Sequence, residues 1–146
     1  MTTLERAVAE FKAAVADMPA ARRFDDVDLE TIYAIAHRLF EQGRFDSSVR
    51  HFGFLTLYRP ASPRFLKGLG AGQFMARDFE RAAGTWALLV LLEPADAEAT
   101  YLFGRAMLML GERRYAEAAF LRAIELGDVA SPIVERARAM LEFIAA

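Results

Sequence analysis

The chain contains no cysteine. That absence removes disulfide staples, thiolate nucleophiles and zinc–thiolate sites together, so packing alone must hold the fold. It is also the composition expected in a reducing compartment. Charge of either sign is not in surplus: 18 Lys and Arg face 20 Asp and Glu, for a formal net charge of −2. Nothing in that balance draws a nucleic-acid backbone or an anionic membrane surface. Long apolar runs are missing too, none approaching the ~18–20 residues that span a bilayer. The opening Met1-Thr2-Thr3-Leu4-Glu5-Arg6 lacks the apolar core of a secretory signal, so a soluble, unprocessed protein is expected. No segment alternates polar and apolar residues with period two, so no sheet is expected.

Catalytic and metal-ligating groups are equally sparse. His37 and His51 are the only histidines. His37 has Glu41 at i+4, but one imidazole and one carboxylate do not make a zinc site. Ser47, Ser48, Ser62 and Ser131 occupy capping or packing places with no base beside them. We therefore expect no enzyme, no metal and no cofactor. Gly68-x-Gly70-x-Gly72 has glycines spaced roughly as in a phosphate loop, but position 73 is Gln and no strand precedes the run. It is read instead as part of a helix in which small residues permit close crossing.

What the chain does have is a period. With 55% hydrophobic and 26% charged residues over 146 positions it is long enough for one folded domain, and it matches itself when shifted by 34 without gaps. Ala36, Gly70 and Gly104 fall in one register; so do Ser48, Ala82 and Ala116, then Phe52, Trp86 and Phe120. Phe45 meets Phe79, and Pro60 meets Pro94. Small residues at the eighth and twentieth places, large apolar ones at the seventeenth and twenty-fourth, and a helix-stopping proline near the end resemble the tetratricopeptide repeat. The units are 29–62, 63–96 and 97–130, each a pair of antiparallel helices, A and B. Their backbones approach closely where a side chain is nearly absent. The expected fold is all-α: a superhelix of three repeats, preceded by an N-terminal helix and linker over 1–28 and closed by a capping helix over 131–146.

Local signals agree with that register. Thr2 and Glu5 form a capping box for a helix running to about Asp17, with Leu4, Val8, Phe11, Ala14 and Val15 on one stripe. Pro19 and the polar run 22–26 break it. Asp28, Ser62, Asp96 and Ser131 are candidate N-caps, the two serines preceding Pro63 and Pro132. Gly43 and Gly111 mark A-to-B turns. Ile133, Val134, Ala137, Met140, Leu141 and Ile144 give the last helix an apolar face that can cover the end of the stack.

In a repeat of this kind the A helices line a concave face. The second, fifth, ninth, twelfth and thirteenth places supply Glu30, Tyr33, His37, Phe40 and Glu41; Arg64, Lys67, Ala71, Phe74 and Met75; Glu98, Tyr101, Arg105, Leu108 and Met109. Aromatics, Met and Arg in an open groove are the composition of a protein-binding surface. Phe40, Phe74 and Leu108 suit packing between successive A helices equally well.

The runs Leu29-Glu30-Thr31-Ile32-Tyr33-Ala34-Ile35-Ala36 and Gly43-Arg44-Phe45, and above all Arg64-Phe65-Leu66-Lys67-Gly68-Leu69-Gly70-Ala71, resemble the class II chaperones of bacterial type III secretion over nearly the whole chain. The resemblance implies a cytoplasmic, non-enzymatic chaperone for hydrophobic translocator proteins, whose extended N-terminal segment lies in the groove. It implies contacts from Tyr33, Phe40, Lys67, Phe74 and Tyr101, with His37, Arg64, Ala71, Arg105 and Leu108 completing the lining. It further implies homodimerisation through Leu4, Val8 and Phe11. A needle-subunit co-chaperone of the same system and a general repeat scaffold are the alternatives. Two positions depart from the pattern: Arg113 stands where an aromatic is expected and Asp128 where a third proline is expected.

The register makes Gly70 a packing position. Gly70→Leu is therefore expected to destabilise the fold by roughly 1–3 kcal/mol or more through overpacking, and a wild-type melting temperature for that variant would contradict the register.

Overall fold

A computed structural model describes all 146 residues. It contains eight α-helices, one short 3-10 turn and no strand: α1 (Thr3–Asp17), the turn Pro19–Arg22, α2 (Asp26–Glu41), α3 (Phe45–Tyr58), α4 (Pro63–Met75), α5 (Phe79–Leu92), α6 (Ala97–Met109), α7 (Arg113–Leu126) and α8 (Pro132–Ala145). The helices divide into two compact units, Met1–Ala76 and Arg77–Ala146.

Helix ends sit where side chains can satisfy the free N–H groups of the first turn. The Thr2–Glu5 capping box forms as expected. Ser62, Asp96 and Ser131 each accept a main-chain N–H at the start of α4, α6 and α8. Asp28 is not a cap. Asp25 is, accepting the Asp28 N–H at 2.8 Å, so the first A helix begins ahead of the repeat's own first place.

In unit 1, α2, α3 and α4 pack around Leu29, Ala36, Phe52, Leu55 and Phe65. The eighth and twentieth places meet as the period requires. Ser48, fully buried, donates its hydroxyl to the Ala36 carbonyl at 3.2 Å, so the small residue also closes a hydrogen bond that the low-dielectric interior makes necessary. The glycine run of α4 is a packing device. A Cβ at Gly68 would stand 2.3 Å from the Phe52 ring, and one at Gly72 would stand 2.9 Å from Val49. Their absence lets α4 lie directly on α3, although each interior glycine lowers helix propensity by about 1 kcal/mol relative to alanine.

In unit 2, Tyr101, Ala116, Phe120, Ala123, Ala137 and Ile144 join α6, α7 and α8 in one core, and α5 packs on α6. Gly104 admits the Phe120 ring, which a Cβ would meet at 2.8 Å. Val134, Ala137 and Ile144 are the buried side of α8, as its sequence pattern indicates. Of the two departures from the repeat pattern, Arg113 serves this closure and nothing in the structure explains Asp128. Arg113 donates Nη2 to the Ile144 carbonyl at 2.8 Å, satisfying an orphan acceptor at the C-terminal end of α8 that an aromatic could not reach with a hydrogen bond. Asp128 follows Gly127, and its carbonyl accepts from the Ser131 N–H at 2.9 Å. Gly127 itself lets Val134 approach where a Cβ would stand 2.5 Å away.

The A-to-B turns carry one irregularity. Gly43 and Gly111 have φ of 75° and 79°, and each turn closes with paired bonds, Arg44 N–H to the Leu39 carbonyl and Glu112 N–H to the Met107 carbonyl. The equivalent residue after α4 is Arg77, at φ 65°. A left-handed conformation costs an L-residue about 1–2 kcal/mol, against roughly 0.5–1 kcal/mol of extra chain entropy for glycine. The Arg77 guanidinium lies 5.5 Å from the Phe79 ring and recovers a little of the difference. Arg77→Gly is expected to stabilise the protein by up to about 1 kcal/mol in urea denaturation, and a loss of stability would mean that the side chain holds the turn.

Candidate functional site

The A-helix positions of repeats one and two that the sequence singles out lie within unit 1, on α2 and α4. Tyr33 is their centre. It projects from α2 half-buried, with the Phe52 ring edge-on at 5.8 Å and 73°, and with Phe65 tilted against it at 5.9 Å. These two core rings fix its orientation from beneath. One turn along α2, His37 stacks on Tyr33 at 6.0 Å, and its Nδ1 lies 3.4 Å from Glu41 Oε1.

From α4, Arg64 reaches across to the same tyrosine. Its guanidinium carbon lies 4.1 Å from the ring centroid, and both of its terminal nitrogens engage the Glu30 carboxylate, Nη2 to Oε2 at 3.3 Å. The helix spacing makes this possible, since Glu30 and Arg64 occupy the second place of successive repeats. Hydrogen bonding to Glu30 raises the guanidinium above its ordinary pKa, with burial opposing it. A planar fork bound to a carboxylate and stacked on an aromatic face is an arrangement lysine cannot reproduce. The pair is solvent-exposed and contributes little to stability; its effect is to order an amphipathic surface.

Beside Tyr33 lies an open depression of about 330 Å³ lined by Glu30, Tyr33, Ala34, His37, Arg38 and Glu41. Further along, Phe40 is half-buried with its ring edge against Phe45 at 5.3 Å, so it belongs partly to the α2–α3 hairpin. Lys67, Ala71 and Phe74 are half-buried on α4. The resulting face mixes partly open aromatic rings with charged groups already oriented by neighbours.

Unit 2 differs. Tyr101, expected among the residues of the open groove, is only 7% exposed and packs its ring at 5.7 Å against Phe120. The cause is Gly104: by admitting Phe120 close to α6 it creates an apolar floor that Tyr101 covers. Leu108 also lies against that core, and Arg105 is half-buried. Leu4, Val8 and Phe11 share a stripe of α1, a helix with no buried residue; Leu4 is 58% and Phe11 41% exposed.

No cluster of His, Asp or Glu is placed to hold a metal ion. His51 donates Nδ1–H to the Ser47 carbonyl at 2.7 Å on its own helix. No helix is long and apolar enough to cross a membrane.

Comparison with known proteins follows the same line. No family model matches the chain. It is 26% identical over 92 residues to the chaperone protein SicA of Salmonella typhimurium, a stretch covering 63% of this chain and 56% of SicA, so the chain spans little more than half of that relative. Among solved structures, PcrH of Pseudomonas aeruginosa superposes with a TM-score of 0.79 at 26% identity, covering 88% of this chain and all of PcrH. PcrH has also been solved with the chaperone binding region of PopD, with a TM-score of 0.78 over 85% of this chain and 96% of PcrH. The type III secretion translocator chaperone SycD of Yersinia enterocolitica, crystallised as an alternative dimer, shares the fold at a TM-score of 0.78 and 22% identity over 85% of this chain and 96% of SycD. The chain is thus similar to translocator chaperones of type III secretion, as its own motifs indicate, and its fold is the all-helical tetratricopeptide type.

Proposed function

We propose that this protein is a non-enzymatic chaperone of the bacterial cytoplasm that holds a hydrophobic translocator protein of a type III secretion system. The client contributes an extended segment, which lies in the groove along the concave-face positions of α2 and α4. The likeness to PcrH over 88% of the chain carries this proposal. The local geometry gives it a physical basis. Tyr33 supplies an oriented aromatic surface, Phe40 and Phe74 offer partly open rings, and Arg64, Lys67 and His37 provide polar ends for a peptide backbone. Ala71 leaves room between them. Within unit 2, Arg105 and Leu108 on α6 are proposed as contacts in their own right, whereas Tyr101 acts mainly by packing.

A translocator carries membrane-seeking segments that would aggregate before export. Covering its binding segment on a partly apolar face keeps it in solution, because exposed apolar area is what drives such association. An extended segment loses chain entropy when it is ordered, so affinity is moderate and release does not require a nucleotide on the chaperone. Two copies associate through the apolar stripe of α1, with Leu4, Val8 and Phe11 at the contact. In this organisation 1–28 serve association, the three repeats at 29–62, 63–96 and 97–130 serve binding, and 131–146 cap the array.

Tyr33→Ala combined with Phe74→Glu is expected to abolish co-purification of a co-expressed translocator while leaving the helical circular dichroism unchanged; wild-type recovery of the client would refute the binding face. Leu4→Asp combined with Phe11→Asp is expected to shift the solution mass toward a monomer, which sedimentation measures directly.

A further inference from the structure

Within unit 1, α1 joins the rest of the fold at its root, the C-terminal end. The helix has no buried residue, and the element it packs closely against is the 3-10 turn that follows it. One side chain that holds this root is Arg59. Arg59, just past the end of α3, donates Nη1 to the carbonyls of Ala21 and of Tyr58, the latter at 2.9 Å. It donates Nη2 to the Phe24 carbonyl at 3.1 Å and to Asp26 Oδ1 at 3.2 Å. Two of these acceptors, the Ala21 and Phe24 carbonyls, belong to the main chain of the linker, so the guanidinium holds the path of that segment chiefly through its backbone. Its rigid planar fork can serve several carbonyls at once, which an ammonium on a flexible stem cannot do in one geometry.

A second hold lies beside the first. Phe24 sets its ring edge-on against Phe54 at 5.5 Å and Tyr58 at 4.8 Å, while Ala21 is buried in the turn. Ring and guanidinium therefore grip the same few residues from α3, and Asp25 caps α2 immediately afterwards.

We propose that Arg59 is the positioning residue that aims α1, presenting Leu4, Val8 and Phe11 to a second copy of this chain. The partner rests on the self-association proposed above; the latch does not. Leverage makes the aim matter. A helix of this length extends about 22 Å, so a tilt of about 20° at the root moves its far end by about 8 Å. Apolar contacts are made within about 4–4.5 Å, so such a tilt separates an interface without altering any residue in it.

The test uses the full chain, whose lack of cysteine lets spin labels be placed uniquely at Glu10→Cys and Asp46→Cys. Distances are read by pulsed electron resonance on labelled chains diluted into unlabelled ones, beside sedimentation of the unlabelled protein. With Arg59 intact the distance distribution is expected to be narrow, and a broad one would overturn the latch. Arg59→Ala and Arg59→Lys are each expected to broaden it and to weaken self-association at least fivefold, with melting temperatures within a few degrees of wild type. Asp26→Asn, which keeps the three carbonyl contacts, is expected to change neither. An unchanged distribution in Arg59→Ala overturns the latch. A broadened distribution with undiminished association overturns the aim. If Arg59→Ala fails to fold, Arg59→Lys decides in its place. If the wild-type chain does not self-associate, the self-association proposal and the aim both fall, and the distance comparison alone decides the latch.

Discussion

The distance at which neighbouring helix backbones can pass sets everything else in this protein. At Ala36 and Ser48 in unit 1, and at Gly104 in unit 2, the side chain is small enough that a large ring or a main-chain carbonyl from the neighbouring helix comes into direct contact. Close passage turns Phe52 and Phe120 inward as the pillars of their cores. Those pillars in turn decide what the A-helix face can present. Phe52 meets Tyr33 edge-on and leaves it half open, whereas Phe120 forms a floor under which Tyr101 is lost to solvent. Two tyrosines at the same place of the repeat thus differ in exposure although the ring beneath each is fully buried.

Charge acts on this scaffold as an orienting influence and adds little strength. Arg64 bridges α2 and α4 over Tyr33, and Arg113 closes the end of α8. Arg113 serves a helix-end carbonyl, whereas Arg64 pairs with an exposed carboxylate. Exposed ion pairs of this kind add little to stability, but they restrict rotamers where a surface must be ready before its ligand arrives.

Much of this was legible in the residues. A 34-residue period, glycines at the A-to-B turns, and Ser-Pro at two helix starts are requirements of the backbone itself, and they point to the same fold independently. What escaped depended on choices between equivalents or on main-chain partners. Asp25 and Asp28 are both competent caps three residues apart, and only the extended conformation at Asp25 decides between them. Arg77 is not a turn residue by composition, though its alignment with Gly43 and Gly111 marks the position where a left-handed backbone was due. The Arg59 contacts could not be inferred, because carbonyls of the linker leave no trace in side-chain pattern. Arg113, which first stood out as a broken motif, is explained by an acceptor 31 residues away.

Helix α4 combines two properties that pull against each other. It carries Arg64, Lys67 and Phe74 of the candidate face, and its thirteen residues include Gly68, Gly70 and Gly72. Such a segment has weak intrinsic helicity and persists only through burial against its neighbours. Its amides are thus suited to exchange with solvent through partial openings of low free energy, ahead of the alanine-rich α7. In the proposed binding role, part of the candidate face would rest on a helix of weak intrinsic helicity, and clients of differing sequence would be accommodated by small adjustments of α4.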